Sequence, residues 1–355
     1  MSENGSRIKD IARLAGVSIG TVDRVLHKRG RVSQQSFEKV EAAMAQLQYK
    51  PNVLASSLRR SKAFNVRVLL PDSSGDEYWQ KSKIGILREA KSWSHFGCQV
   101  ELTEFNIDDH VAFYKLISQV INDKPDGLVL SPIHYKESLQ ALKENNNQLP
   151  VALFNANIAE IEPLCFVGQD LRKSGRVAAQ LIFNSIEKGG SIAIIHADED
   201  IADAPHLMEK ENGFREYFEE VENRDKKIAF IRLSASQSLS ELVNEFTLVL
   251  EKDNVKAVFV TTSKGTSIIG NVLKKSGKKD LVMVGYDILE ENVNLLKDGT
   301  IRYLINQNPQ LLGAMALSHV LNYLVHNRTT KNTELFPIDI VTSENVSSYV
   351  QFNNR

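Results

Sequence analysis

Short polar side chains follow most of the strands that the sequence predicts from residue 63 onward. They are carboxylates, amides and hydroxyls, and an aromatic pair stands after the first strand. Such groups can bind the hydroxyls of a neutral polyhydroxylated ligand, while aromatic rings pack against the C–H faces of a sugar. The residues expected to contact such an effector are Asp72, Tyr78, Trp79, Ser131, Asn155, Asp170, Thr262, Asp287 and Gln307, with Gln169 and Ser263 beside them.

Two alternatives stay open for these residues. Each of them alone is also a common turn former or helix cap, and only their recurrence after successive strands favours a ligand site. The pair Tyr78 and Trp79 can stack on a nucleobase as readily as on a pyranose. A phosphorylated ligand is less favoured, because few cations fall at the predicted strand ends.

A second group with possible chemistry lies near the N-terminus. Ser18 is a good N-cap, Ile19, Gly20 and Thr21 begin the helix that follows, and Arg24 lies one turn later. An outward-facing arginine there can make two hydrogen bonds to a guanine edge, worth about 1–3 kcal/mol of base discrimination. A three-helix bundle with a solvated basic face is the alternative. The apolar residues on the opposite face of this helix are Val22, Val25 and Leu26.

Motifs for enzymatic chemistry are missing. The sequence contains no Gly-rich phosphate loop, no Gly-x-Gly-x-x-Gly, no His-Glu-x-x-His and no nucleophile elbow. His196 follows a predicted strand, and a single histidine there is more often a hydrogen-bonded structural residue than a base. We therefore expect no enzymatic activity, no cofactor and no metal.

Charge is distributed unevenly along the 355 residues. Residues 1–62 hold 12 Lys and Arg against 5 Asp and Glu, whereas the remaining residues hold 31 against 39. The asymmetry predicts a nucleic-acid-binding head on an acidic body, although a basic tail on an enzyme would give similar counts. No run of apolar residues is long enough to span a membrane, and the first residues lack the apolar core of a signal peptide. Together with Cys98 and Cys165, which are expected to be buried reduced thiols, this favours a cytoplasmic protein.

The elements that position these groups follow from hydrophobic periodicity. The head contains three predicted helices, over Ile8–Ala15, after Ser18, and from Ser33 to near Tyr49, in the layout of a helix-turn-helix. The body alternates strands and helices, which predicts parallel sheets wound with helices. The strands are expected at 66–70, 100–104, 127–130, 151–154, 191–195, 228–233, 257–260, 282–286 and 302–305, and the helices at 79–96, 111–123, 173–188, 209–220, 239–252 and 310–326.

Between head and body lies a short segment with the composition of a minor-groove wedge. Pro51 ends the third helix, and Asn52 can cap a helix over 53–58 that is too short to be stable alone in water. Leu58 stands beside Arg59 and Arg60, so it can enter a base step while the cations hold phosphates. A basic linker with an incidental leucine is the alternative.

The segment IKDIARLAGVSIGTVDRVLHKRGRVSQQSFEKVEAAMAQLQYKPNVLASSLRRSK resembles the DNA-binding head and hinge of the LacI/GalR repressor family. The resemblance implies that Ser18 and Thr21 contact DNA, that Ile19, Gly20 and Arg24 occupy the base-reading positions, and that the hinge helix spans 52–58. In that helix it implies DNA contacts for Asn52, Ala55 and Leu58. Asp23 departs from the usual Ser and places a carboxylate close to phosphates.

The body resembles the type I periplasmic sugar-binding fold that this family uses as its effector domain. The resemblance rests on PVALFNANI, FVGQDLRKSGRVAA, AVFVTTSKG, VMVGYD and LINQNPQLLGAMAL. It implies ligand contacts for Asp170, Thr262, Asp287 and Gln307, a pocket position for Asn155, and a ligand contact for Lys210 near the place where relatives often have Arg. Ala156 stands where some sugar binders have a cation.

These observations predict an α/β protein in three parts. Residues 1–50 form the helix-turn-helix domain, 51–62 the hinge, and 63–355 a two-lobed periplasmic-binding-protein-like domain with doubly wound parallel sheets. The first lobe is expected at about 63–171 and 303–332, and the second at about 172–302 and 333–355. The expected function is that of a homodimeric, sugar-controlled transcriptional regulator, with repression as the expected effect, bound to a pseudo-palindromic operator. A regulator that senses a purine or uses a corepressor, and a solute-binding protein, are the alternatives.

Overall fold

The computed structural model describes residues 8–26, 32–47, 63–144, 149–187, 190–197, 204–221, 228–234, 239–252, 254–278, 280–328 and 331–353, with side chains to 350. The chain divides into two compact units, Met1–Ser61 and Lys62–Arg355. The predicted hinge over 51–62, with Asn52, Ala55 and Leu58, lies outside the described residues.

The described part of the head contains helices α1 (Ile8–Ala15), α2 (Ile19–Leu26) and α3 (Gln34–Gln46). Its core is a small cluster in which Ile11, Val22 and Val40 are fully buried. Gly16 ends α1 with φ +64°, a left-handed conformation that glycine adopts without a Cβ penalty. The three helices predicted from periodicity are confirmed.

The first sheet of the body has six strands, all parallel, in the order β11-β5-β4-β3-β1-β2. Near-continuous runs such as Val68–Leu70 are buried on both faces, as parallel strands covered by helices must be. The strands are β1 (Phe64–Pro71), β2 (Cys98–Phe105), β3 (Gly127–Leu130), β4 (Val151–Phe154), β5 (Cys165–Gln169) and β11 (Thr333–Phe336). The helices of this lobe are α4 (Glu77–Trp93), α5 (His110–Asn122), α6 (Tyr135–Glu144) and α12 (Pro309–His326), with a 3₁₀ turn at Ser94–Phe96.

The second sheet also has six strands, in the order β12-β10-β9-β8-β6-β7, and β12 alone runs antiparallel to its neighbour. Its strands are β6 (Gly190–His196), β7 (Ile228–Ser234), β8 (Val255–Val260), β9 (Val282–Tyr286), β10 (Tyr303–Asn306) and β12 (Asp339–Val341). The remaining helices of the body are α7 (Leu171–Ser185), α8 (Pro205–Glu220), α9 (Leu239–Lys252), α10 (Ser263–Ser276), α11 (Glu290–Lys297) and α13 (Val346–Asn353). Two wound sheets therefore confirm the predicted fold class.

The chain passes between the two sheets three times. Tyr303–Asn306 pairs with β9 in the second sheet, and Thr333–Phe336 pairs with β5 in the first. These pairings correct the predicted lobe boundaries at 303 and 333, which each placed one strand in the wrong lobe. The crossings lie instead after Gln169, after Asn306 and near Pro337.

One side chain links all three crossings. Gln169 Nε2 donates hydrogen bonds to the carbonyl oxygens of Asn306, at 3.2 Å, and Pro337, at 2.8 Å. Gln169 itself is 3% exposed, so these bonds form away from water and hold the three segments together.

The two thiols behave as the sequence predicts. Cys98 and Cys165 are both buried and free, and burial raises the pKa of each thiol to about 11. Neither is a nucleophile at neutral pH. No helix among the described residues is both long and apolar enough to cross a membrane.

Candidate functional site

The exposed face of α2 carries the residues that the sequence assigns to DNA reading. Ile19 is 49% exposed, and Gly20 and Arg24 are also exposed, whereas Val22 and Val25 are buried in the head core. The helix therefore turns its apolar stripe inward and presents Ile19, Gly20, Asp23 and Arg24 to solvent. Because Gly20 lacks a side chain, the exposed side chains of this face are those of Ile19, Asp23 and Arg24.

Ser18 and Thr21 support the start of the same helix. Ser18 Oγ accepts a hydrogen bond from Thr21 N at 3.1 Å, and the two hydroxyl oxygens lie 2.9 Å apart. This is an N-cap, which satisfies one of the backbone donors that begin a helix. Ser18 is exposed and Thr21 is partly exposed, so both residues can still contact a partner on this face.

The body contains a cleft of about 470 Å³, partly open to solvent, between the carboxyl ends of the two sheets. In parallel α/β sheets this edge is the common position of ligand sites. Six of the ten effector residues expected from the sequence line it. The lining residues are Asp76, Tyr78, Trp79, Ile107, Asn155, His206, Leu207, Lys210, Thr261, Thr262, Ser263, Lys264 and Gln307.

The first-lobe wall of the cleft is an aromatic and amide surface. Tyr78 and Trp79 pack edge to face with ring centroids 4.8 Å apart, and Tyr78 Oη donates a 2.8 Å hydrogen bond to Asn155 Oδ1. Asn155 adopts φ 68° at the end of β4, a left-handed conformation that Asn tolerates better than most residues. The tyrosine bond therefore fixes the orientation of the Asn155 amide at the cleft wall.

Asp76 begins the helix that carries this aromatic pair. Its carboxylate caps α4 by accepting from Tyr78 N at 2.8 Å. Burial raises the pKa of Asp76 above its ordinary 3.8, and the positive charge of Lys264 on the opposite lobe partly opposes that rise. A carboxylate and an ammonium group from different lobes thus interact across the cleft.

The second-lobe wall centres on a buried ammonium group. Lys210 is 3% exposed, its Nζ donates to Thr261 O at 2.8 Å, and it lies 3.7 Å above the centre of the Tyr286 ring. The carbonyl and the ring face both stabilise its charge where water cannot. Lys210 also lines the cleft.

Close packing of two helices sets the position of Lys210. A Cβ placed on Gly175 of α7 would lie 1.9 Å from Lys210 O, and one placed on Gly213 of α8 would lie 1.9 Å from Arg172 O. The two glycines therefore let the backbones of α7 and α8 approach at a distance that no larger residue permits.

Asp287 lies beneath the cleft rather than in its lining. It is 0% exposed, and its carboxylate accepts hydrogen bonds from Gln307 N at 2.7 Å, from Gln307 Nε2 at 2.8 Å and from Ser263 Oγ. Burial raises the pKa of Asp287, and these three bonds oppose the rise. Its partners Gln307 and Ser263 both line the cleft, so Asp287 holds two cleft residues in place.

Three other expected effector residues also stand outside the lining. Asp72 forms a local turn. Its carboxylate accepts hydrogen bonds from Ser74 N at 3.0 Å and from Ser74 Oγ at 2.8 Å, and these bonds lower the pKa of Asp72. Ser131 is fully buried, and Asp170 caps α7 by accepting from Lys173 N at 2.9 Å. For Asp72 and Asp170 the structure matches the turn-former and helix-cap alternative.

Behind Thr261 lies a buried ionic network. His196 Nδ1 is 2.8 Å from Thr261 Oγ1, and His196 Nε2 is 2.8 Å from Glu211 Oε2. Glu211 also accepts from Arg215 and Arg232 through Oε1. Burial raises the pKa of Glu211, but the bonds from His196, Arg232 and Arg215 outweigh it and lower the pKa to about 2. His196 is thus the hydrogen-bonded structural residue that the sequence favours.

The sequence did not single out several lining residues as ligand contacts. Most of them do not follow a strand directly or are not polar, so the strand-end rule passes over them; Thr261 is the exception, because it is polar and directly follows β8. Of these, Lys264 adds a second lysine to the cleft, which therefore has more positive charge than the strand ends suggest. The residues missed are Asp76, Ile107, His206, Leu207, Thr261 and Lys264.

Comparison with protein families matches both units of the chain. Residues 7–52 match the family described as bacterial regulatory proteins, lacI family. Residues 67–328 match the family described as periplasmic binding protein domain. The second match alone covers most of the chain.

Similar curated proteins match over most of their length. A sucrose operon repressor of Streptococcus mutans is 26% identical over 347 residues, covering 96% of this chain and 99% of that protein. A ribose operon repressor of Halalkalibacterium halodurans is 27% identical, covering 79% of this chain and 80% of that protein.

Solved structures share the fold of the body. A protein of Bacteroides fragilis assigned as a LacI transcriptional regulator has a TM-score of 0.72 at 29% identity, covering 81% of this chain and 100% of that one. A solute-binding protein of Burkholderia graminis in complex with D-arabinose has a TM-score of 0.71 at 19% identity, covering 82% and 99% of the two chains. At that identity the second likeness shows the fold alone.

Proposed function

The chain belongs to the lacI family of bacterial regulatory proteins and carries a periplasmic binding protein domain, and from this premise we propose that it is a homodimeric repressor of carbohydrate-metabolism genes. A small carbohydrate bound in the cleft controls its affinity for operator DNA. The observation that carries the proposal is the coexistence of an exposed reading face on α2 with a polar, aromatic-lined cleft between two sheets. Relatives named as sucrose and ribose operon repressors support the carbohydrate class.

The head reads the operator through α2 in the major groove. Arg24 binds a guanine edge, Ile19 contacts the neighbouring base, and Gly20 allows close approach of the backbone. Ser18 and Thr21, at the helix start, bind phosphate oxygens, because hydroxyls and the positive end of a helix both favour anions. In the hinge, Asn52 and Ala55 contact the backbone of the minor groove and Leu58 enters a base step.

The effector binds between the two walls of the cleft. Trp79 and Tyr78 supply an apolar face, while Asn155, Lys210 and Gln307 supply directed hydrogen bonds. Thr262 adds a hydroxyl from the second lobe. Asp287 acts through Gln307 and Ser263, whereas Asp72 holds a local turn and Asp170 caps α7.

Binding couples to DNA through the relative position of the lobes. Gln307 lies on a crossing segment and also lines the cleft, so a ligand that pulls on it acts where the lobes join. At the flank, Glu77 Oε2 accepts from Glu290 N at 2.8 Å, a contact that joins α4 and α11 across the lobes. A ligand that favours one lobe arrangement alters the separation of the two hinges, and operator and effector then change each other's affinity by the same factor.

A homodimer fits the expected operator symmetry. Two heads on a two-fold axis contact two half-sites in successive major grooves. Exposed apolar side chains on the packed pair α4 and α12 supply surface for such an interface: Ile84 is 47% exposed, Leu87 48% and Leu311 41%.

The regulator acts in the cytoplasm, where it meets chromosomal DNA, and it carries out no reaction on its ligand. The solute-binding alternative is disfavoured because the head match at residues 7–52 belongs to a regulator family. Deleting residues 1–62 separates these functions: we expect the remaining body to bind its ligand and to lose all operator affinity.

A ligand screen tests the effector proposal. Thermal unfolding of the full chain is measured with neutral sugars, sugar phosphates and nucleobases, and hits are confirmed by calorimetry. A ligand that binds only the folded state raises the melting temperature. We expect neutral sugars among the hits, and their affinity to fall in Lys210→Met. Hits confined to nucleobases would contradict the carbohydrate class.

A further inference from the structure

We propose that His110, His134 and Glu137 form a binding site for a divalent transition-metal cation of the Zn²⁺ class in the first lobe. The three side chains offer two imidazole nitrogens and one carboxylate oxygen, and these ligand atoms all lie within 4.8 Å of one another. Two histidines and one carboxylate with an open fourth position is a ligand set that Zn²⁺ takes in proteins.

The elements bring together residues that are far apart in the sequence. His110 is the first residue of α5, after β2, and Glu137 lies in the first turn of α6, after β3. Because β2 and β3 are both parallel to β1, their following helices start at the same edge of the sheet. His134 stands immediately before α6, one turn from Glu137. No local spacing motif links positions 110 and 134, which is why the sequence predicts no metal.

Distances between these groups suit a shared ion. His110 Nδ1 lies 3.5 Å from Glu137 Oε1. Two ligands at about 2.0–2.1 Å from a tetrahedral Zn²⁺ are about 3.3 Å apart, so this pair needs almost no movement. The ring centroids of His110 and His134 are 4.2 Å apart with planes inclined by 53°, so the two imidazoles lie next to each other.

Packing holds one ligand in place while another stays accessible. His134 is 3% exposed, and its ring packs against Phe113 at 4.9 Å and Phe105 at 5.7 Å between centroids. The His110 side chain is 49% exposed and that of Glu137 25% exposed. The site therefore has a fixed apolar wall on one side and an entry path with room for a water ligand on the other.

Bound metal would join the segments after β2 and β3. Ile107, three residues before His110, lines the effector cleft. The ion would thus restrain one edge of the first-lobe wall. The site does not depend on the proposed regulator function, because neither DNA nor effector is needed to form it.

Calorimetry with Zn²⁺ on the chelator-stripped full chain tests the site. We expect one ion per chain, with affinity at least about tenfold weaker in His110→Gln and in Glu137→Gln, because each removes one ligand. His95→Gln, a substitution of an exposed histidine elsewhere in the same lobe, is the matched control and is expected to bind as the wild type. Mg²⁺, which prefers oxygen ligands, is expected not to bind at this site.

Co²⁺ provides a second measurement that reports coordination directly. Visible absorption of the bound Co²⁺ is expected in the wild type and His95→Gln, and lost in both ligand variants. Thermal unfolding of the metal-free variants checks that they fold. The proposal is overturned if no stoichiometric Zn²⁺ binds, if the two ligand variants bind as tightly as the wild type, or if His95→Gln loses binding equally.

Discussion

The carboxylate of Asp287 accepts two hydrogen bonds from a single residue, Gln307: one from its backbone N at 2.7 Å and one from its Nε2 at 2.8 Å. The bonds join the end of β9 to the segment that leaves the second sheet for the first. Asp287 is fully buried, whereas Gln307 lines the cleft. Gln307 therefore lines the cleft and also lies on the segment that connects the lobes, and the buried carboxylate of Asp287 fixes its position.

Asp287→Ala tests this relationship. Loss of the carboxylate leaves Gln307 Nε2 and Ser263 Oγ without their acceptor, so we expect effector binding and response to be lost while operator binding is kept. The free energy of unfolding should fall by about 1–3 kcal/mol, the usual cost of unsatisfied buried donors. Calorimetry with the effector and gel-shift titration with operator measure the two activities. Wild-type effector affinity would refute the role.

Asp170→Ala is the companion variant, because the sequence assigns Asp170 to the ligand and the structure places it as the cap of α7. We expect a loss of about 0.5–2 kcal/mol of stability, typical of a removed N-cap, with effector affinity within about twofold of the wild type. Loss of effector binding in a folded Asp170→Ala protein would favour the sequence interpretation instead.

Glu211→Gln tests the buried network. The pKa of Glu211 in the folded protein is about 2, below its ordinary 4.5, so the ionised carboxylate stabilises the fold above pH 4.5 and this contribution disappears as the pH falls to about 2. We expect Glu211→Gln to lower the free energy of unfolding by roughly 3 kcal/mol at neutral pH, with the difference shrinking below pH 4.5. Denaturant unfolding across this range measures it. Glu219→Gln, on an exposed position of the same helix, should show little effect, and a pH-independent difference would contradict the account.

Gly175→Ala tests the close approach of α7 and α8. The new Cβ would clash with the backbone of Lys210, so the helices must separate and carry the lysine away from Thr261. We expect about 1–3 kcal/mol of destabilisation together with weaker effector binding. Gly75→Ala is the control, because no atom lies within 4 Å of the added Cβ. Equal effects of the two variants on effector affinity would count against the proposed position of Lys210.

Arg24→Ala tests DNA reading. Removing the guanidinium should relax preference at one base pair in each half-site, at a cost of about 1–3 kcal/mol for the preferred base. Selection from random duplexes followed by sequencing measures the preference at every position. Arg13→Ala, an exposed arginine of α1 that pairs with Asp10, is expected to leave the profile unchanged. An unaltered profile in Arg24→Ala would exclude the assigned role.

The fold was largely predictable because its local signals agree. Runs such as Val68–Leu70 are fully buried and appear as continuous apolar segments, and several helices have clear periodicity. Strands β5, β11 and β12 and helices α6, α10, α11 and α13 were missed. β11 and β12 are edge segments of four and three residues, partly exposed, and carry little hydrophobic signal. Their sheet assignment depends on where the chain crosses between lobes, which no local pattern records.

The cleft was predictable only in part. The strand-end rule finds Asn155, Thr262 and Gln307 because parallel strands bring their carboxyl ends to one edge. It cannot tell whether a side chain points into the cleft, caps the next helix or lies beneath the floor, as Asp170 and Asp287 do. Those outcomes depend on the local backbone and on tertiary partners. The proposed metal site at His110, His134 and Glu137 was not predicted for a related reason: the fold of the sheet brings these residues together, and no spacing in the sequence indicates it.

Linked titration of operator and effector measures the proposed control of DNA binding by a sugar in the cleft. Operator affinity of the full chain is measured at fixed salt with and without the sugar found by the thermal screen, and sugar affinity is measured with and without operator. We expect each ligand to change the affinity of the other by the same factor, about tenfold or more. The account is contradicted if no duplex is bound with a sequence preference, or if sugar affinity is identical with and without DNA.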